Sequence, residues 1–185
     1  MKIMHIFATS VDKFTEMTFK RHIPNAITSM NLLCGVIATV YAVSGHLQTA
    51  ALLIFAGALF DFFDGFAARA LKVSSDIGKE LDSLADIVSF GIAPAAMYST
   101  YMKSLITGQS YYPIGNLDTI NIIWTLLPFI LAVFAALRLA KFNLDTRQTE
   151  EFLGLTTTAT GLFTASLMWT IVDNPQWFVG WFGKS

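Results

Sequence analysis

Five apolar runs of about the 20 residues that a membrane-spanning helix needs leave this chain few folds to choose from. They lie at about 24–43, 48–71, 81–102, 119–140 and 153–172. In lipid the backbone must satisfy its own polar groups within a segment, so runs of this length predict helices. Composition agrees, with 54% of residues hydrophobic and 14% charged, where a soluble domain carries about 25% charged. The chain is therefore read as an all-α, polytopic transmembrane helix bundle with five visible spans. Pro24 falls near the start of the first run, where a helix tolerates proline in its first turn. A polar loop with glycine and tyrosine, 107–116, parts the third run from the fourth. No Ser/Pro-rich linker or repeat divides the chain, so residues 23–185 read as one domain.

Residues 1–22 lack the long apolar core and small-residue cleavage site of a secretory signal. Ile3, Phe7, Val11 and Phe14 recur instead at helical spacing, with Lys2, Lys13, Lys20 and Arg21 at polar positions. This pattern predicts an interfacial amphipathic helix on the membrane surface. Basic residues set the orientation. With the N-terminus inside, ten of the 12 Lys and Arg fall on inner segments, and only Lys103 and Lys184 fall outside. The expected location is the cell (inner) membrane, with a cytoplasmic N-terminus. The net charge of −1 and the lack of a basic block give no sign of nucleic-acid binding. The single cysteine, Cys34, excludes a disulfide within the chain and makes a zinc site a poor fit.

Against this apolar background the stretch 61–86 holds five aspartates. Asp76 lies in a short polar connection. The other four lie in or beside apolar runs, where each costs about 2.5–3.5 kcal/mol on insertion scales. Asp61 and Asp64 are three apart at the inner end of the second run. Asp82 and Asp86 are four apart at the inner end of the third. Both spacings put a pair on one helix face, and the short connection makes the helices antiparallel neighbours. Four carboxylates can then converge facing the cytoplasm, and they repel unless a cation sits among them. An all-oxygen set favours a hard divalent ion, Mg²⁺ or Mn²⁺. Magnesium commonly keeps coordination positions for substrate phosphates, which points to phosphoryl transfer with one carboxylate as general base. Gly65, Ala67, Ala68 and Gly78 leave room for a bulky ligand, and Arg69, Lys72 and Lys79 offer cations to phosphate oxygens.

At these residues the chain resembles the CDP-alcohol phosphotransferases. That family shares D-x-x-D-G-x-x-A-R, eight further residues, and G-x-x-x-D-x-x-x-D. Here "DFFDGFAAR" and "GKELDSLAD" fill every fixed position at those gaps. The resemblance implies metal ligation by Asp61, Asp64 and Asp82, with two ions expected, and Asp86 as the general base, touching the second metal. It implies contacts from Gly65, Ala68 and Arg69 to a CDP-linked lipid, with Ser75, Gly78, Asn25 and Thr28 near the nucleotide and diphosphate. Helix capping is an alternative for Asn25 and Thr28. The family is often dimeric, which makes a homodimer an expectation. The ending at 173–185 stops where a further apolar segment can begin, so the family's six-helix fold is expected with its last helix absent.

Three further stretches, "IPNAITSMNLLCG", "GKELDSLADIVSFGIAPA" and "ALRLAKFNL", resemble the branch that uses CDP-diacylglycerol and L-serine to make phosphatidylserine and CMP. One departure is Thr156, which stands where that branch carries proline. Arg138 and Lys141 are candidate contacts to the acceptor or a lipid phosphate, or else snorkelling basic residues. The aromatic residues at 177–182 read as an interfacial belt. Two alternatives remain at this stage. The same chemistry can serve glycerol 3-phosphate or an inositol compound. A carboxylate-lined ion or proton transporter is the more distant one, and it gives no reason for Gly65, Ala68 and Arg69 at fixed offsets.

Overall fold

The computed structural model describes the backbone of residues 2–109, 111–144 and 156–174, with side chains from Lys20 onward. Every regular element among the described residues is helical. Helix α1 runs Lys2–Val43, α2 Leu47–Leu71, and α3 Asp76–Asp86. A π-helical segment at Ile87–Ile92 leads into α4, Ala93–Thr107. After the loop that follows α4 come α5, Thr119–Leu126, and α6, Ile130–Leu144, joined by a 3₁₀ turn at Leu127–Phe129. Helix α7 spans Thr157–Asp173.

Among the described residues three helical stretches are long and apolar enough to cross a membrane: Lys20–Val43, Leu47–Leu71 and Thr119–Leu144. The five expected runs thus appear as five helical rods, two of them modified. The third run is one path from Asp76 to Thr107 with the π segment inside it. Pro94 accounts for that break, because it has no N–H to donate to the carbonyl of Phe90 and its ring crowds that carbonyl. Pro128 produces the 3₁₀ turn between α5 and α6 for the same reason. The fifth run is described only from Thr156 on, and α7 has 17 residues.

Pro24 is placed differently from the expectation. It lies in the interior of α1, because the amphipathic segment and the first span are one continuous helix. The Thr28 oxygen lies 3.0 Å from the Pro24 carbonyl, one turn on. The side chains of Ile3, Phe7, Val11 and Phe14 lie outside the described residues, as do residues 177–182.

Lipid tails are as apolar as leucine, so packing in a membrane depends on close approach. The core accordingly combines Ala38, Ala42, Ala50, Ala51, Ala93, Ala96 and Ala165 with a few large side chains, Ile54, Phe90, Met97 and Met168. Helix α1 packs along α2, α3 and α4, and α7 packs against α2. The π segment sits at the centre, touching α1, α6 and α7. Two glycines allow this. A Cβ on Gly35 would stand 2.3 Å from Ser89 Oγ, and one on Gly161 would stand 2.8 Å from the Phe90 ring. The Ser89 hydroxyl uses that proximity to donate to the Asn31 carbonyl at 2.9 Å. The result holds the first turn of the π segment, and Asp86 just before it, against α1.

Candidate active site

Helix α2 ends at Lys72, whose left-handed backbone (φ 53°) turns the chain sharply. Its N–H bonds back to the Ala68 and Arg69 carbonyls. Ser75 then caps α3, accepting from the Gly78 N–H at 3.0 Å. Beyond this tight corner α3 packs along α1 rather than along α2, unlike the expected pair of antiparallel neighbours, and the aspartates of α2 and α3 meet across the gap. A Cβ on Gly78 would lie 2.9 Å from both Asn25 Oδ1 and Ser75 Oγ, so glycine lets α3 start against α1.

One carboxylate oxygen each from Asp61, Asp64 and Asp82 lies within 4.8 Å of the others. Oxygens sharing one divalent ion at about 2.0–2.6 Å stand no more than roughly 4–5 Å apart, so the cluster fits such an ion. Asp64 is buried, and Thr28 donates to its Oδ2 at 2.5 Å. That bond fixes the carboxylate's rotation. Thr28 and Asn25 are both interior to α1, so neither caps a helix.

A cavity of about 460 Å³ opens beside the cluster. Asp64 and Asp82 line it, with Asn25, Thr28, Gly65, Ala68, Arg69, Ser75 and Gly78. Every expected lipid-nucleotide contact therefore faces one chamber. Four cations, Arg21, Arg69, Lys72 and Lys79, line it as well. The chamber thus has carboxylates at one side and basic side chains around it. A metal-neutralised diphosphate requires such an arrangement.

Asp86 faces elsewhere. It lines a second, smaller cavity of about 150 Å³ together with Arg138, Leu139, Phe142 and Thr156–Thr158. The Asp61 carboxyl contacts both Asp86 and the Thr158 side chain, so it stands between the two chambers. Arg138 donates from Nη1 to Thr157 Oγ1 at 3.1 Å. Lys141 is exposed and lines neither cavity, whereas Arg138 lines the smaller one. Thr156 caps α7, accepting from the Ala159 N–H at 3.2 Å.

Two sets of residues stand at the cavities beyond those expected from the sequence. Arg21 joins Asn25 and Thr28 at the larger one, since 21, 25 and 28 share one helix face. Thr157 and Thr158 join Thr156, the position without the expected proline, at the smaller one. Their signal was a hydroxyl at a helix start.

Comparison with known families adds a decisive observation: the model of the CDP-alcohol phosphatidyltransferases matches residues 21–184. The chain belongs to that family. It is 36% identical over 149 residues to the CDP-diacylglycerol–serine O-phosphatidyltransferase of Bacillus subtilis, covering 80% of this chain and 76% of that one. It is 32% identical over 159 residues to the protein of the same name from Helicobacter pylori, covering 84% and 60%. For the Saccharomyces cerevisiae protein of that name the figures are 36% over 154 residues, 76% and 50%. The chain thus spans about three quarters, three fifths and half of these three relatives. No solved structure matches. A helical integral membrane enzyme of this family accounts for both the apolar rods and the acidic cluster between them.

Proposed function

We propose that the protein transfers the phosphatidyl group of CDP-diacylglycerol to the hydroxyl of L-serine, giving phosphatidylserine and CMP. The observation that carries this is the convergence of Asp61, Asp64 and Asp82 beside a basic-rimmed cavity, with Asp86 facing a second one. The names of the relatives support serine as the acceptor.

On this reading the larger cavity takes the cytidine diphosphate. Arg21, Arg69, Lys72 and Lys79 meet its oxygens, and Gly65 and Ala68 let it lie close to α2. Asp61, Asp64 and Asp82 hold Mg²⁺ or Mn²⁺, with Asp86 beside a second ion. Metal bound there neutralises charge on the diphosphate and on the departing CMP. Asp86 takes the proton of the serine hydroxyl. The serine oxygen bonds to the β-phosphorus, and the bond from that phosphorus to the bridging oxygen breaks. CMP leaves with the electron pair.

The chain sits in the inner membrane with α1 entering from the cytoplasm, so both cavities open on the side where CDP-diacylglycerol and serine are available. The exposed apolar face of Thr119–Leu144, of which only 6% is buried in its most apolar window, meets lipid or the second subunit of a homodimer.

An acceptor panel tests the assignment. Purified protein with CDP-diacylglycerol should release CMP on addition of L-serine, and far more slowly with glycerol 3-phosphate or inositol. Equal or faster release with either of those would move the protein to another branch of the family. Absence of any acceptor-dependent CMP release would remove the transferase reading.

A further inference from the structure

We infer that the smaller cavity is a subsite for a zwitterionic α-amino acid, in which Arg138, steadied by Thr157, takes the carboxylate. The inference rests on the transfer reaction above and adds how its acceptor is recognised. The cavity and the larger chamber share no lining residue. Asp61 nevertheless links them: one of its oxygens lies within 4.8 Å of Asp64 and Asp82, which line the larger chamber, and its carboxyl contacts Asp86 and Thr158, which line the smaller one. A molecule in the small cavity therefore has its reacting end at Asp86, beside the acidic cluster, and its far end toward Arg138.

The lining has a specific charge complement: one guanidinium, one carboxylate and the hydroxyls of Thr156, Thr157 and Thr158. A neutral polyol gives no reason for the arginine. A phosphorylated acceptor carries about two negative charges and calls for a second cation, whereas among the described residues Arg138 is the one cation that lines the cavity. A small zwitterion matches one guanidinium for its carboxylate and a set of hydroxyl acceptors for its ammonium, with Asp86 left for the reacting hydroxyl.

The Arg138 guanidinium is held in place. It donates one bond to Thr157 Oγ1 at 3.1 Å, and Thr157 is buried. Arginine has five donors in a planar fork, so one anchored N–H leaves an edge free to grip a carboxylate with two parallel bonds. The start of α7 strengthens this end of the cavity. Its first-turn N–H groups have no acceptors within the helix, and Thr156 takes only that of Ala159. The positive end of the helix thus lies beside the guanidinium.

The test separates KM for serine from KM for CDP-diacylglycerol in Arg138→Gln, Arg138→Lys, Thr157→Val and Thr157→Ser. It adds serinol, which carries a hydroxymethyl group where serine has its carboxylate. Arg138→Gln should raise the serine KM about ten- to a hundredfold, the range for losing a bond to a charged group, and leave the KM for CDP-diacylglycerol unchanged. Thr157→Val should raise the serine KM less, and Thr157→Ser should restore it. Wild type should use serinol about as poorly as Arg138→Gln uses serine, and Arg138→Gln should not slow serinol further. An unchanged serine KM in the Arg138→Gln and Thr157→Val variants, or serinol accepted as well as serine by wild type, would overturn the inference. The serinol comparison needs no variant, so it decides even where Arg138→Gln does not fold. Wild type that releases no CMP with serine overturns the transfer reading itself, and this inference with it.

Discussion

Asp82 and Asp86 lie on one face of α3, yet they serve different chambers, and that division sets what each substitution should do. Asp86→Asn keeps the shape of the side chain and removes the proton acceptor. Its kcat should fall about 10²- to 10⁴-fold, the usual contribution of a positioned base, with CDP-diacylglycerol binding retained in an equilibrium titration. A loss of binding equal to the loss of rate would show that Asp86 acts on the nucleotide instead. Two glycines give a second contrast. A Cβ on Gly65 would meet only the Arg69 guanidinium, at 3.6 Å, which is ordinary contact. Gly65→Ala should therefore leave the thermal midpoint in detergent unchanged and raise the KM for CDP-diacylglycerol. Gly78→Ala drives a methyl to 2.9 Å from Asn25 and Ser75 and should lower that midpoint as well. The carboxylates and both glycines were legible in the sequence, because helical spacing alone places them. That Asp86, in contact with Asp61, lines a second cavity was not. It depends on where the first turn of α7 lands, a contact between residues 61 and 158 that no local pattern encodes.

The elements that matter most for catalysis are the irregular ones. Asp86 ends α3 at the boundary with the π segment, and that segment is clamped to α1 by the Ser89 to Asn31 bond at the Gly35 contact. A methyl at position 35 would fall 2.3 Å from Ser89 Oγ and 2.7 Å from its Cα, so backbone has to move. Gly35→Ala should destabilise the fold by about 1–3 kcal/mol, the range for overpacking, measured by reversible denaturation in mixed micelles. It should also lower kcat, since Asp86 moves with the segment. Unchanged stability would mean that α1 and the π segment are less tightly joined than the structure has them. In the sequence this region reads as one smooth apolar run. The helical rods follow from length and hydropathy, whereas the π segment follows from how Pro94 is accommodated among α1, α6 and α7. Pro24 gives the same lesson: a proline near an apolar boundary reads as a helix start, but here α1 passes through it.

At the scale of the whole molecule, α2 and α3 carry the acids, α1 supplies Arg21, Asn25 and Thr28, and α6 and α7 close the second chamber. The burial of Asn31 shows how much polar structure this core contains. Its side chain is fully buried, and neither of its polar atoms has a partner among the described residues. At the end of the bundle away from the aspartates, the start of α2 and the end of α7 are tied by Gln48 and Asp173. All of this serves one purpose on the reading above, which is to hold a metal-bound diphosphate against α2 while an amino-acid hydroxyl approaches from the side of Asp86. The direct measurement is a crystal structure of the protein with CDP-diacylglycerol and Mn²⁺, with the ion located by its anomalous scattering. The expected result is an anomalous peak among the carboxylates of Asp61, Asp64 and Asp82, with the diphosphate beside Gly65 and Arg69. A peak away from those three side chains, or a nucleotide seated in the Arg138 cavity, would contradict it.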